Sequence, residues 1–270
     1  MLCSETTTIK DFLIEKQIGL GSYGKIVLAK HKASGALYAI KMVSRRNVQK
    51  SKRLETANIE KRCLESIDSQ YVVKLYGYFE DPLCFNFVLE YVEGGDMFTL
   101  RHELVPQLPH IFKQVVSSLA YLHSHKIIHR DIKLENILVD HNNNIKLCDF
   151  GSAKICEEET STFCRSSYIG SADYTAPEIL NKQDICHALD LWDLGIAIYA
   201  AYNGHGPFYS LNRLQVFDNI RNCKYAMVET IPGAAQDLIS KLLKLDPKER
   251  LGYNDFSTGY STILSHPYFN

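Results

Sequence analysis

The residues best suited to chemistry lie in one stretch, IIHRDIKLENILVDHNNNIKLCDFG, at 127–151. It offers two carboxylates, Asp131 and Asp149, an ammonium, Lys133, and an amide, Asn136. One carboxylate can orient a hydroxyl and take its proton. The other, with the amide, supplies the hard oxygen ligands that magnesium prefers. The ammonium can neutralise charge on a phosphoryl group in transit. Together these types point to transfer of a phosphoryl group onto a hydroxyl. Singly each is weak, since an isolated aspartate is usually solvated or caps a helix. Specificity lies in the ordered set. Apolar runs on either side of the polar turn at His141–Asn144 predict a loop and two short strands, which present the four residues from one loop and one strand end.

Upstream, Phe12–Ile18, Lys25–His31 and Leu37–Val43 alternate apolar and polar residues and read as strands. Between the first two lies Gly19-Leu20-Gly21-Ser22-Tyr23-Gly24. A G-x-G-x-x-G run also marks dinucleotide sites. There, however, the glycines open a helix and an acidic residue follows about 20 positions later. Here they open a strand, and the later residue is Lys41. Glycine lets a backbone approach phosphates where a Cβ would intrude. Lys41 sits in an apolar strand. Either its stem packs inward with its head in water, or it pairs with a carboxylate and with the α- and β-phosphates of a nucleotide. That carboxylate should come from the helical pattern Ile59, Cys63, Leu64 and Ile67. Glu55, Glu60 and Glu65 all fall there, and the pattern alone leaves the choice open. A buried lysine without a partner tends to lose its charge, so the pair is a functional requirement more than a stability gain.

Strand-like runs at Val72–Phe79 and Phe85–Val92 end at Glu93-Gly94-Gly95-Asp96. A boundary is expected there between a small lobe, about 12–92, and a larger one, about 96–269. Ile111, Val115, Val116, Leu119 and Leu122 predict an amphipathic helix over Pro109–His125, which delivers the 127–151 stretch. Further helices are expected at 186–204 and 234–245, and 154–174 reads as a polar surface loop. The fold class is α+β. With 270 residues, 46% hydrophobic, the chain can bury a sizeable core as one two-lobed domain or two small ones. A net charge of −1 excludes a global field that draws it to nucleic acid or an acidic membrane. The eight cysteines are scattered, with no C-x-x-C pair, and no signal-peptide pattern is present. Reduced thiols in the cytoplasm are expected, with the nucleus as a further location. The most apolar region, Leu191–Tyr202, is broken by Asp193 and is too short to span a bilayer.

The order Gly19–Gly24, Lys41, His129-Arg130-Asp131 with Lys133 and Asn136, Asp149-Phe150-Gly151 and Ala176-Pro177-Glu178 resembles that of eukaryotic-type protein kinases, over about residues 12–269. Lys133, two positions after Asp131, is similar to the serine/threonine branch. Gly94-Gly95-Asp96-Met97-Phe98, Arg250-Leu251-Gly252 and His266-Pro267-Tyr268-Phe269 resemble the group of kinases A, G and C, and within it the phosphoinositide-dependent kinases. The resemblance implies a two-lobed fold: a small antiparallel sheet with one prominent helix, and a mainly helical second lobe. It implies a non-specific serine/threonine protein kinase that uses ATP and magnesium. Asp131, Lys133 and Lys41 would act in catalysis, with Lys41 fixed by Glu60, which an ungapped match favours. Asn136 and Asp149 would hold the metal. The nucleotide would lie under Ile18, Gly19, Leu20, Gly21, Ser22, Tyr23 and Gly24, its base between Ile26, Ala39 and Leu138. Leu89 would be the gatekeeper, Glu90 and Val92 would offer backbone groups to adenine, Asp96 would reach the ribose, and Glu135 completes the set. Asp190 would brace the catalytic loop, and Arg250 would pair with Glu178.

The same resemblance makes 154–178 an activation segment. Ser161, Thr162, Ser166, Ser167 and Ser171 are candidates for phosphorylation, and Ser167, before Tyr168-Ile169-Gly170, is favoured. Arg130 and Lys154 would pair with its phosphate; Ile59 stands where a further cation would help. The activation loops of other kinases are the implied substrates. A hydrophobic segment of such a partner would dock at Val48, Leu54, Ala57, Lys61, Tyr78, Phe85 and Phe87. The same residues can equally pack the helix onto its sheet. The chain ends at Asn270, directly after the last motif, which fits a kinase whose groove stays empty and equally a piece of a longer chain. Cys148, just before Asp149, is expected to face the nucleotide. Two other readings stay open: a serine/threonine kinase of another group, and a pseudokinase that binds without transfer.

Overall fold

The computed structural model describes residues 7–21, 24–50, 54–156 and 172–270. Strands β1 (Phe12–Gly21), β2 (Gly24–His31) and β3 (Leu37–Ser44) lead to helices α1 (Arg45–Lys50) and α2 (Leu54–Ser66), then to β4 (Leu75–Glu80) and β5 (Cys84–Glu90). These strands form one antiparallel sheet in the order β1-β2-β3-β5-β4. Helices α3 (Met97–Leu104) and α4 (Leu108–Ser124) follow, then the short strands β6 (Ile127–Ile128), β7 (Ile137–Val139), β8 (Ile145–Leu147) and β9 (Lys154–Ile155). The rest is helical: α5 (Pro177–Leu180), α6 (Ala188–Asn203), α7 (Arg213–Arg221), α8 (Gly233–Leu242) and α9 (Ser261–Leu264).

Successive side chains of a strand leave opposite faces. On the outer face Tyr38 and Ile40 join Phe12, Val27, Ala29, Phe79 and Val88 in a small apolar cluster. On the inner face Ala39 and Val43 join Phe85, Phe87 and Leu89, and the main core continues from there into the helices. Lys41 follows the inward register of Ala39 and Val43. Among the described residues of β1 only Phe12 is buried; Leu13, Ile14, Ile18 and Leu20 are exposed. Two register shifts, between Ile14 and Lys16 and between Gln17 and Gly19, bend this edge strand.

The strand expected from Val72 starts later. Val72 forms a parallel bridge with Leu147, and the Val73 amide donates to the Leu147 carbonyl at 3.0 Å. This segment therefore ties the sheet to β8 and enters the sheet only at Leu75. The crossing to the helices is equally tight. A Cβ at Gly94 would lie 2.0 Å from the Val139 carbonyl oxygen. The Val139 amide donates to the Gly95 carbonyl at 2.9 Å.

Helix α6 is buried continuously from Ala188 to Ala201, as expected of a helix that is apolar all round. Arg250 locks its start to α5, giving Glu178 two parallel bonds of 2.7 Å and the Ala188 carbonyl a third. Both side chains of the ion pair are buried. Among the described residues no helix is long and apolar enough to cross a membrane.

Candidate active site

The inward register of β3 places Lys41 opposite α2. Its ammonium donates to both oxygens of Glu60, at 2.6 and 2.8 Å, and to Asp149 Oδ1 at 2.8 Å. Of the other two glutamates on α2, Glu65 pairs with Lys61 at 3.8 Å nearer the surface; the Glu55 side chain is outside the described residues. Burial works against charge on Lys41, but Asp149 and Glu60 outweigh it and hold the ammonium charged far into the alkaline range. Burial likewise pushes Glu60 up, opposed by Lys41. The Lys41 ammonium holds Asp149 down at about 2, against burial.

The loop before β7 is held from below. Asp190 accepts the amides of His129 at 2.9 Å and Arg130 at 2.7 Å. It also meets His123 Nε2 at 2.7 Å, while His123 Nδ1 contacts the Tyr260 hydroxyl at 2.6 Å. Burial would raise Asp190, but His123 and the loop amides keep it below the ordinary carboxylate range. Above this support, Asp131 Oδ2 accepts from Lys133 Nζ at 2.8 Å and from Asn136 Nδ2 at 2.9 Å. Asn136 Nδ2 also donates to the Asp131 carbonyl at 2.8 Å. The Cys148 amide donates to the Asn136 carbonyl at 3.0 Å, and His129 Nε2 meets the Cys148 carbonyl at 3.1 Å. These bonds bring Asp149 beside Asn136.

Arg130 and Asp149 have φ of 66° and 61°, left-handed conformations that cost non-glycine residues roughly 1–2 kcal/mol each. The strain turns Asp149 out of β8 towards Lys41. Magnesium fits the donor set. The amide nitrogen of Asn136 is spent on Asp131, which leaves its oxygen for a cation. Asp149 is ionised, and its side chain is 40% exposed. One carboxylate and one carbonyl oxygen suit an ion that keeps several waters and binds phosphates.

Around the cleft, Ala39 and Leu89 are buried, Ile26, Val92 and Leu138 are half-buried, and Glu135 is exposed. Glu90 spends its amide on the Lys74 carbonyl at 2.9 Å, and its carboxylate meets Lys146 at 2.9 Å. Asp96 caps α3, accepting the Thr99 amide and hydroxyl at 2.9 Å each. Ser22 and Tyr23 lie outside the described residues. A Cβ at Gly24 would stand 1.8 Å from the Met42 carbonyl oxygen. Close packing of β2 on β3 therefore demands this glycine, whatever a phosphate requires.

Ser161, Thr162, Ser166, Ser167 and Ser171 lie outside the described residues. Arg130 donates to the carbonyls of Ser152 and Ala153, and Lys154 pairs opposite Ile128 in the β6–β9 ladder. Beside α2, Val48, Ala57, Phe85 and Phe87 are buried core. Arg45 lies 4.5 Å over the Phe85 ring and Lys61 lies 4.4 Å over Tyr78. The Leu54 side chain is outside the described residues. Cys148 is half-buried, and burial, then Asp149, push its thiol far up, which suppresses the reactive thiolate. Sequence reasoning missed His123, whose signal is a histidine one turn beyond Leu119 on the apolar face of α4. It also treated Asp193 only as an interruption.

The family model described as protein kinase domain matches residues 12–269. The cAMP-dependent protein kinase type 3 of Saccharomyces cerevisiae is 34% identical, over 97% of this chain and 65% of its own length. The human 3-phosphoinositide-dependent protein kinase 1 is 34% identical, over 96% of this chain and 47% of its own. The mouse serine/threonine-protein kinase Sgk2 is 37% identical, over 96% and 71%. The chain thus spans about half to two thirds of the length of the first two relatives.

Proposed function

The chain belongs to the protein kinase domain family, and from that premise we propose that it transfers the terminal phosphoryl group of ATP to serine or threonine hydroxyls of proteins. The observation that carries this is the meeting of Lys41, Glu60 and Asp149 in one ion cluster, tied by backbone bonds to the loop bearing Asp131, Lys133 and Asn136. Asp131 orients the hydroxyl and takes its proton. Lys133, beside it, steadies charge on the phosphoryl group. Lys41, fixed by Glu60, draws the nucleotide phosphates into line beneath β1 and β2. Asn136 and Asp149 would hold magnesium, which supplies charge neutralisation across the terminal phosphates when bound. Most of the acceleration comes from positioning and electrostatics.

Relatives of the A, G and C group match at similar identities, 34% to 37%. Activation loops of other kinases remain the substrate class favoured by the sequence resemblance. Docking of a partner's hydrophobic segment beside α2 requires it to displace Arg45 and Lys61 from their aromatic faces. A reducing, cytoplasmic location accords with the six cysteines among the described residues, all free thiols.

The test is turnover of magnesium-ATP with serine peptides and mass-spectrometric mapping of the product. Asp131→Asn should lower kcat by about 10²–10⁴-fold, the usual contribution of a positioned base. Lys41→Met should lower it by about 10²–10³-fold, as for loss of one preorganised charge donor. Both variants should stay folded. Wild-type turnover in either variant refutes the assignment; nucleotide binding without transfer by the unaltered chain would favour a pseudokinase. A peptide copying an A, G and C group activation loop, set against basic-directed and proline-directed peptides, separates the kinase groups.

A further inference from the structure

Helix α6 carries a second carboxylate, Asp193, three residues after Asp190 and therefore on the same face. Asp193 is 2% exposed, and its Oδ2 accepts the Ile132 amide at 3.3 Å. One turn of α6 thus grips the backbone on both sides of Asp131: Asp190 holds His129 and Arg130, and Asp193 holds Ile132. We propose that Asp193 is a positioning residue for phosphoryl transfer, fixing the backbone of Asp131 from its C-terminal side through the Ile132 amide. The inference rests on the reading of Asp131 as the group that orients the hydroxyl.

The surroundings decide the form in which Asp193 acts. The charges bearing on it most strongly are negative: Asp190 on its own helix, Asp131 from the loop and Glu178 from α5. Glu178 is matched by Arg250, and Asp190 by His123. Tyr174 adds a phenol from the turn before α5, within the influence of both Asp193 and Asp131. Burial first, and then these carboxylates, push Asp193 well above the ordinary carboxylate range. Both effects favour the neutral acid, the form that accepts one amide without adding charge beneath Asp131. The sign of the pH effect follows. With its folded value raised, the stability it contributes is complete below the ordinary value of 3.8. That contribution is lost as pH rises towards the folded value. Ionisation places an unmatched anion under the loop, so transfer falls on the alkaline side.

Steady-state kinetics from about pH 6 to about pH 10 on the unaltered chain, Asp193→Ala and Asp193→Asn provide the test, with hydrogen exchange of the Ile132 amide as a structural readout. The alanine variant should lose about 10–100-fold in kcat, the scale of a roughly 1 Å misplacement, with little change in KM for ATP. Its Ile132 amide should exchange faster. Asparagine keeps an acceptor and cannot ionise. It should recover most of the kcat lost by alanine and hold its activity where the unaltered enzyme declines. An alanine variant with unaltered kcat and Ile132 protection overturns the inference. So does an asparagine variant that follows the same alkaline decline, and this comparison decides alone if the alanine variant does not fold. If the unaltered chain transfers nothing while alanine still exposes Ile132, the kinase reading falls and the grip on the loop stands.

Discussion

Glu60→Gln removes the charge at the centre of the site with little change of shape. Lys41 gives Glu60 two charge-assisted hydrogen bonds, of 2.6 and 2.8 Å, and gives Asp149 a third of 2.8 Å. Glutamine keeps one acceptor and no charge. A hydrogen bond to a charged group contributes about 1.5–3 kcal/mol. At about 1.4 kcal/mol per decade, that predicts a fall in kcat/KM for ATP of about 10–150-fold. With one anion gone, the ammonium is drawn to Asp149, the proposed magnesium ligand, so KM for magnesium-ATP should rise as kcat falls. The assay is initial-rate kinetics at varied magnesium-ATP on Glu60→Gln, Lys41→Met, the double variant and Glu65→Gln. Because Glu60 acts through Lys41, the double variant should match Lys41→Met within about twofold, whereas independent groups would multiply. Glu65, paired with Lys61 at 3.8 Å near the surface, should matter less than about twofold. A Glu60→Gln enzyme within about threefold of the unaltered one, or a multiplicative double variant, refutes the coupling.

Three further outcomes are expected. Arg250→Met strands the buried Glu178 carboxylate and should cost about 3–5 kcal/mol in denaturant unfolding; pairing it with Glu178→Leu should recover much of that loss. Burial, then His123, hold His187 down at about 4, below its ordinary 6.5. The unfolded chain then takes up the proton first, so stability should fall by about 3 kcal/mol as pH drops from about 6.5 to about 4. His187→Phe should flatten that slope in thermal unfolding. Gly94→Ala would set a Cβ 2.0 Å from the Val139 carbonyl oxygen. Backbone cannot yield as a side chain can, so β7 must shift, and this variant should lose activity and unfold at a lower temperature than Gly233→Ala, whose Cβ meets nothing within 4 Å.

The sheet and α4 were legible in the sequence through their periods of 2 and 3.6, and α6 as a continuous apolar run. Val72 and Val73 looked like strand because they are apolar and β-branched, yet the bonds flanking Val72, from the Val73 amide to Leu147 and from the Leu147 amide to Tyr71, go to β8. Local pattern cannot say which strand receives a hydrogen bond. Helix α3 escaped notice because only Met97 and Leu104 are buried, which gives a weak stripe. The types of the site residues were legible, and so was their order. The choice among Glu55, Glu60 and Glu65 on pattern alone was not, since it depends on how α2 is rotated against Lys41. His123 and Asp193 lay hidden because their partners are backbone amides and side chains far along the chain, at separations no periodicity records.

The apolar cluster on the outer face of the sheet shares no member with the large core. It holds seven of the described buried side chains, while the inner face of the same sheet belongs to the main core. The outer layer of the sheet can therefore loosen locally at a fraction of the cost of full unfolding. The backbone around Asp131 hangs instead on Asp190 of α6, which takes no part in that outer layer.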